Sequence, residues 1–396
     1  MRAENLHILM LSLATDILTE PLGDSRERHA DYAARIGHLH MLVYAPRGTG
    51  LEPVSITERF TAYPSGSRSR YLFPLDAYRS GARLCQAERI DLIATQDPFT
   101  TGLAGAWLKR RFGIPLQVNN HATFFGNRYW LDERPLRHRA FEWLGRRVVR
   151  QADTLRTVNA DQRERYVEMG IAPQRIEVIN TPINLDRFLE PPEPGQVTAL
   201  RAQLDIPPEN KVILWVGRPA ARNQKRLDDL LEAFALVRGR LPASILVIVG
   251  DMRGASYVRQ GVERLDLGEA VRLPGGVPHA ELPAYFALCD VFALSSVYEG
   301  MPKVAAEAAA SGVPVVAMRV PGIEDAVLDG ESGLLCERES PADLAEKLTT
   351  LLDDPARAGE MGRRAREYAR ERFDRERTMQ AIVGLWERAA AARGGR

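Results

Sequence analysis

Twice along its 396 residues this chain alternates short apolar runs with stretches of helical spacing, and a proline-rich segment separates the two rounds. In the first round the runs are Ile8 to Leu13, His40 to Ala45, Leu92 to Thr95, Leu116 to Asn119 and Thr154 to Val158, each bounded by turn residues and short enough for a buried strand. Between them lie Arg26 to Arg35, Tyr78 to Glu88, Gly102 to Arg111 and Leu136 to Arg150, which carry helical spacing. This is the order of a parallel sheet with helices on its faces. Pro191, Pro192, Pro194, Gly195, Pro207 and Pro208 then interrupt the pattern, and the stretch they punctuate can hold neither a central strand nor a long helix throughout. The alternation restarts at Val212 to Val216, Ile245 to Val249, Val291 to Leu294 and Val313 to Ala317, with helices beginning near Leu227, Ala280, Val304, Ala342 and Ala356.

The expected organisation is two doubly wound α/β domains, residues 1–190 and 211–373, joined by a linker at 191–210. Residues 374–396 form a closing helix whose Met379, Ile382, Val383, Leu385 and Trp386 need a surface to cover. Length agrees, since a chain this long exceeds what one compact core serves.

Formal net charge is +1, so no bulk field draws in nucleic acid, and a bound anion must be met by individually placed cations. Cys85, Cys289 and Cys336 are an odd number without CxxC spacing, which fits a reduced, cytoplasmic compartment rather than a disulfide frame or a zinc site. The apolar run from Leu6 to Ala14 is too short to span a bilayer and reads as a first strand.

In open α/β sheets ligands bind beyond the carboxyl ends of the strands, and the densest signal lies there. Directly after the run ending at Leu294 comes Ser295-Ser296-Val297-Tyr298-Glu299-Gly300-Met301-Pro302-Lys303-Val304-Ala305-Ala306-Glu307. Pro302 suits the first turn of a helix, so Glu299 falls in the loop and Glu307 inside the helix. At 1.5 Å rise per residue the two carboxylates stand on the order of 10 Å apart, comparable to the reach from sugar to ribose in a nucleotide sugar. Gly300 lets the backbone approach closely, and free amides at the helix start offer an anion site. A second cluster follows the first strand of the second half, Val216-Gly217-Arg218-Pro219-Ala220-Ala221-Arg222-Asn223-Gln224-Lys225-Arg226. Stabilising a departing diphosphate needs fixed cations, and Arg218 with Lys225 or Arg222 are the candidates.

The Glu299 to Glu307 string resembles the Glu-x7-Glu motif of glycosyltransferase family 4. Its continuations, Ala308 to Ala317, Pro321-Gly322-Ile323-Glu324-Asp325 and Gly330 to Leu335, are similar to the same family. The resemblance implies the GT-B architecture, two facing Rossmann-like domains with the last helix crossing back to the first. It implies that Glu299 holds donor-sugar hydroxyls, that Glu307 holds the ribose, and that the backbone of Gly300, Met301, Pro302, Lys303 and Val304 lines the diphosphate. Gly322 and Gly333 read as backbone turns. Gly217, Arg218 and Lys225 resemble the family's phosphate clamp, in a wider spacing than usual, with Lys225 favoured over Arg222.

No Asp-x-Asp occurs, so no metal cofactor is expected and cationic side chains take its place. In the first half, Asn119-Asn120-His121-Ala122-Thr123-Phe124-Phe125-Gly126 resembles the family's loop near the donor sugar, with His121 the functional candidate. His29, His38, His40, His138 and His279 are taken as structural. Asp16 and Gly23, in the first β-to-α loop, and Asp97, after another strand, are acceptor-side candidates, Asp97 doubling as a helix cap. Residues Arg134 to Arg150 mix basic and aromatic side chains, so they read either as an ordinary amphipathic helix or as a peripheral contact with an anionic inner-membrane surface.

The family likeness implies a retaining transfer of a hexose-type sugar from a UDP-, GDP- or ADP-sugar to a glycan or lipid-linked acceptor, in synthesis of surface polysaccharide or glycoconjugate. The alternatives are a nucleotide-sugar 2-epimerase, a sugar phosphorylase and a non-catalytic nucleotide-sugar-binding partner subunit.

Overall fold

The computed structural model describes residues 2–20 and 23–391. Residues 1, 21–22 and 392–396 lie outside that range, and with them the last residues of the expected closing helix 374–396. The chain divides into two compact units, Met1–Pro182 with Glu376–Arg396, and Ile183–Arg375.

The first unit is built on eight strands: β1 His7–Ser12, β2 His38–Val43, β3 Val54–Thr57, β4 Phe60–Pro64, β5 Leu92–Thr95, β6 Leu116–Asn120, β7 Thr154–Thr157 and β8 Ile176–Val178. Their order across the sheet is β3-β4-β2-β1-β5-β6-β7-β8, parallel except for the β3–β4 pair. Strand order reverses direction at β1, which pairs with β2 on one side and β5 on the other. That switch point opens a crevice at the strand ends. The closing helix, Arg375–Ala391, belongs to this unit: Met379, Ile382, Leu385 and Trp386 are buried in one cluster with Ile8, Met10, Leu39 and Met41 of β1 and β2. The Trp386 ring meets Tyr32 edge-on, with centroids 5.2 Å apart. This is the surface that the apolar stripe of the helix covers.

The second unit is a six-stranded parallel sheet, ordered β11-β10-β9-β12-β13-β14. These strands are β9 Lys211–Val216, β10 Ser244–Val249, β11 Val271–Gly275, β12 Val291–Leu294, β13 Val315–Met318 and β14 Gly333–Cys336. Its switch point lies between β9 and β12. Buried Val, Ile and Leu on both faces of β9 and β10 explain why those runs read as continuous hydrophobics.

The division between units falls before residue 190, and the reason is Phe188. Its side chain is buried, with the ring edge-on to Phe286 and centroids 5.7 Å apart, so the segment leading to it is part of the second unit. Nor is 191–210 a bare connector: Gln196–Gln203 is helical, and Leu200 is buried. Gly195, at a φ of 85°, provides the left-handed turn that lets the helix begin directly after the prolines.

Candidate active site in the second unit

The two loops flagged by their motifs leave the adjacent strands β9 and β12, so both emerge at the switch point. They are stitched together by hydrogen bonds. Val297 N donates to Gln224 O at 3.0 Å, Gln224 Nε2 to Tyr298 O at 3.2 Å, and Ser295 Oγ to Lys225 O at 2.7 Å.

At their centre Lys225 Nζ lies 2.5 Å from Glu299 Oε1, with both side chains about nine-tenths buried. Removing two charges from water is costly unless each meets the other, so the pair must be made within the site. Arg222 does not compete for this position. Its guanidinium grips Asp228 at 2.9 and 3.2 Å and lies over the Tyr257 ring, exposed to solvent. Arg218 is exposed, and among the described residues its guanidinium has no hydrogen-bond or ion-pair partner. A cation held without a counterion is available to an anionic ligand. The loop carrying it is backed by Tyr257, whose hydroxyl donates to Pro219 O at 2.7 Å. Gly250 is needed there too, since a Cβ on it would stand 2.3 Å from the carbonyl oxygen of Gly217.

The helix after β12 runs Lys303–Ala310, with Pro302 as its cap rather than its first residue. Glu299 and Gly300 therefore lie in the loop, Met301 and Pro302 lead into the helix, and Lys303 and Val304 open it. Glu307 sits within it, 3% exposed, with Oε1 2.9 Å from Nε2 of His279 and Oε2 without a hydrogen-bond partner. A buried carboxylate oxygen left unsatisfied carries a penalty that a ligand hydroxyl would relieve.

His279, set aside as structural from sequence, is thus the partner of a motif residue. Its ring is also 5.4 Å from that of Phe188, and its Nδ1 is 3.4 Å from Arg187. Sequence carried no signal of this, because residues 279 and 307 are brought together only by the sheet.

Gly322 is more than a turn. At a φ of 86° it packs so closely that a Cβ would lie 2.3 Å from Gly300 O and 3.2 Å from Glu299 O. It fixes the height of the Glu299 loop from below. Gly333 has no left-handed φ; it is a strand residue of β14, and a Cβ there would strike Val315 O at 2.2 Å. This corrects its reading as a turn.

The remaining sequence candidates lie on the first unit. His121 follows β6 and its Nε2 is 2.8 Å from Gln96 Oε1, a residue at the end of β5. The strand leading to it is braced by the buried Arg156, which donates to Ile179 O at 3.1 Å, to Asn180 O at 2.5 Å and to Asn119 Oδ1 at 3.3 Å. Asp97 has its carboxylate turned onto its own loop, accepting from Phe99 N at 2.7 Å and Thr101 Oγ1 at 2.8 Å, which is the capping role. Burial holds its pKa above the ordinary carboxylate value against the pull of those donors. Asp16 opens a one-turn helix, Asp16–Thr19, and Gly23 caps Asp24–Ala34 at a φ of −74° that any residue could adopt. What favours glycine at residue 23 is space, since a Cβ there would stand 3.3 Å from Glu20 O and Glu20 Cβ.

Two parallel-sheet α/β units are the architecture of a GT-B glycosyltransferase, and comparison with known proteins identifies the chain as one. Residues 27–187 match the family described as Glycosyltransferase Family 4, and residues 196–372 match Glycosyl transferases group 1. The chain belongs to this family. It is 31% identical over 369 residues to D-inositol 3-phosphate glycosyltransferase 2 of Catenulispora acidiphila, covering 87% of this chain and 83% of that one. A D-inositol 3-phosphate glycosyltransferase of Kineococcus radiotolerans is 33% identical over 320 residues, 74% of this chain and 72% of the relative. Among solved structures, sucrose-phosphate synthase of Thermosynechococcus elongatus shares the fold with a TM-score of 0.81 at 22% identity, over 98% of this chain and 100% of that one. HepE of Anabaena in complex with UDP-glucose shares it with a TM-score of 0.76 at 19% identity, over 97% and 100%.

Proposed function

We propose that this glycosyltransferase moves a hexose-type sugar from a UDP-, GDP- or ADP-sugar to a hydroxyl of a glycan or lipid-linked acceptor, with retention at the anomeric carbon and without a metal ion. The observation that carries the reading is the grouping at the second unit's switch point: a buried Lys225–Glu299 pair and, among the described residues, an unpartnered Arg218 and a buried Glu307 with one oxygen to spare.

Each group has a task that follows from its chemistry. Arg218 and Lys225 meet the charge that grows on the diphosphate as the bond from the anomeric carbon to the phosphate oxygen breaks. The acceptor oxygen forms its bond to the same face of that carbon, and its proton passes to the departing phosphate oxygen. Glu299, paired with Lys225, keeps the sugar-hydroxyl assignment of its motif. Glu307 takes the ribose, and His121 keeps the sugar assignment of its motif. The absence of Asp-x-Asp supports a metal-free site, because two fixed cations then carry the charge.

Formation of surface polysaccharide or glycoconjugate in the cytoplasm is the setting we infer. Cys85 and Cys336 are free thiols that burial holds protonated, with pKa values raised to about 11 and about 12. Such inert, unbridged cysteines suit a reducing compartment. No helix among the described residues is long and apolar enough to cross a membrane. Peripheral contact is favoured by the helix Pro135–Gln151, which leaves Leu136 89% and Trp143 58% exposed among arginines.

Incubation with a panel of UDP-, GDP- and ADP-sugars, followed by thermal melting, tests the donor assignment. One nucleotide class raises Tm in a concentration-dependent way. A Tm unmoved by all three rejects the reading.

A further inference from the structure

His121 is held from two directions, and each hold fixes something about its ring. The first comes from β1 through Gln96, the residue after β5. Gln96 N donates to Leu11 O at 3.1 Å, and its side-chain Nε2 lies 2.9 Å from Met10 Sδ. A thioether sulfur can only accept, so the amide must turn its NH2 group towards Met10 and its carbonyl oxygen away. That oxygen, Oε1, faces His121 Nε2 at 2.8 Å. An amide oxygen has no proton to give, and the proton in this bond therefore sits on His121 Nε2. In the neutral ring the lone pair is then on Nδ1.

The second hold comes from below. Asn119, two residues before His121, donates through Nδ2 to Thr95 O at 2.9 Å, next to Gln96 in the chain. Its Oδ1 accepts from Gln117 Nε2 at 3.0 Å and from Arg156 Nη1 at 3.3 Å. Arg156, 4% exposed, gives its other hydrogen bonds to Ile179 O and Asn180 O, just beyond the end of β8. All three of these acceptors are neutral oxygens. Burying a charge against neutral groups costs more than burying an apolar side chain of that volume. What the planar fork adds is geometry: it joins the ends of β6, β7 and β8, while Asn119 joins β6 to β5. Gln96 and His121 thus leave one platform, which sets the distance between them.

We propose that Gln96 is a positioning residue for His121: it holds the imidazole as the Nε2–H tautomer on the platform braced by Arg156, so that His121 meets a ligand hydroxyl as an acceptor through Nδ1. The hydroxyl rests on the glycosyltransferase reading, in which His121 holds the sugar; the tautomer stands on Gln96 and Met10 alone.

Long-range proton–nitrogen NMR of the full chain, labelled at histidine and held at pH 8, reads the tautomer directly, with His121→Gln identifying the resonances. Expected are a pyrrole-type Nε2 whose proton is protected from solvent exchange and a pyridine-type Nδ1. A proton on Nδ1 overturns the proposal. The unaltered chain alone decides this, whatever the stability of the variants. Gln96→Leu is expected to open the Nε2 proton to exchange and erase its signal, and Gln96→Glu, which keeps an acceptor oxygen, to retain it; an unchanged signal in Gln96→Leu overturns the proposal as well.

The functional arm follows release of nucleoside diphosphate from the nucleotide sugar that raises Tm. Gln96→Leu is expected to lower kcat at least tenfold while affinity for UDP or GDP, which reports on the second unit alone, stays within twofold. A kcat within twofold of the unaltered chain would reduce Gln96 to a structural contact and overturn its positioning role. A chain that shows the expected tautomer and binds no nucleotide sugar would sink the donor reading while leaving Gln96 as the residue that sets the ring.

Discussion

Lys225 Nζ and Glu299 Oε1, 74 residues apart in sequence, meet at 2.5 Å inside the second unit. One comes from the loop after β9 and the other from the loop after β12, so the pair locks the two halves of the motif into one object. Truncating Lys225 to alanine leaves a carboxylate buried without its cation, and such losses cost about 3–5 kcal/mol. The variant is expected to melt lower and to lose transfer by about 10²–10³-fold. Adding Glu299→Gln to Lys225→Met removes the stranded charge, so stability recovers while activity does not. Urea unfolding together with turnover separates the two effects, and joint recovery of both would deny Lys225 a chemical role.

Arg218 offers the complementary case. Exposed and without a protein partner among the described residues, it contributes little to folding. Arg218→Ala is expected to keep its Tm within about 1 °C while kcat falls by about 10²–10³-fold. Paired melting and rate measurements check this, and normal turnover refutes the assignment.

Glu307 and His279 form a smaller unit. Replacing Glu307 by alanine removes a charged hydrogen-bonding partner from the ribose, worth about 1.5–3 kcal/mol, or about 10- to 150-fold in donor affinity. His279→Ala is expected to weaken donor binding less, because it orients the carboxylate without replacing it. Donor KM values for the two variants test the ranking.

Gly322→Ala forces a Cβ against Gly300 O from a left-handed backbone position. Strain of that kind costs about 1–3 kcal/mol, and the loop it would push carries Glu299. We expect a lower Tm and at least a tenfold loss in kcat/KM, although residue 322 touches no ligand in this account. Melting curves and steady-state rates for the variant decide.

The first unit has a pH dependence of its own. His7, His38 and His40 stack along β1 and β2, with the rings of His38 and His40 4.3 Å apart. Burial, then the neighbouring His38 and His7, lower the His40 pKa from 6.5 to about 4. The unfolded chain therefore binds a proton that the folded chain refuses between those values. Stability should fall as pH drops from 6.5 towards 4 and flatten below, by on the order of 1 kcal/mol after solvent screening. His40→Gln should reduce the slope, as urea midpoints at pH 7 and pH 4.5 would show.

How far the sequence reached has a physical pattern. The runs at β1, β5, β9, β10 and β12 were legible because central strands of a parallel sheet are buried on both faces and spell continuous hydrophobics. β3, β8 and β11 carry no such signal, and these are three of the four edges of the two sheets; the fourth, β14, is a buried Gly-Leu-Leu-Cys run. Val54–Thr57 is mostly exposed, Ile176–Val178 is three residues long, and Val271–Gly275 contains Pro274. Those three edges are short, exposed or broken by proline, which is what makes them hard to read. Among the site candidates, Glu299, Glu307 and Arg218 stand out in the sequence because they share motifs with their neighbours. His279 and Gly322 act across the sheet on residues far away in sequence, which no local pattern links.

On the proposed function, the second unit holds a nucleoside diphosphate between Arg218, Lys225 and Glu307. Crystals soaked with UDP or GDP decide it. The expected density places the diphosphate against the Arg218 and Lys225 side chains, and the ribose hydroxyls within hydrogen-bond distance of Glu307. A nucleotide bound elsewhere on the chain, with that pocket vacant, would contradict it.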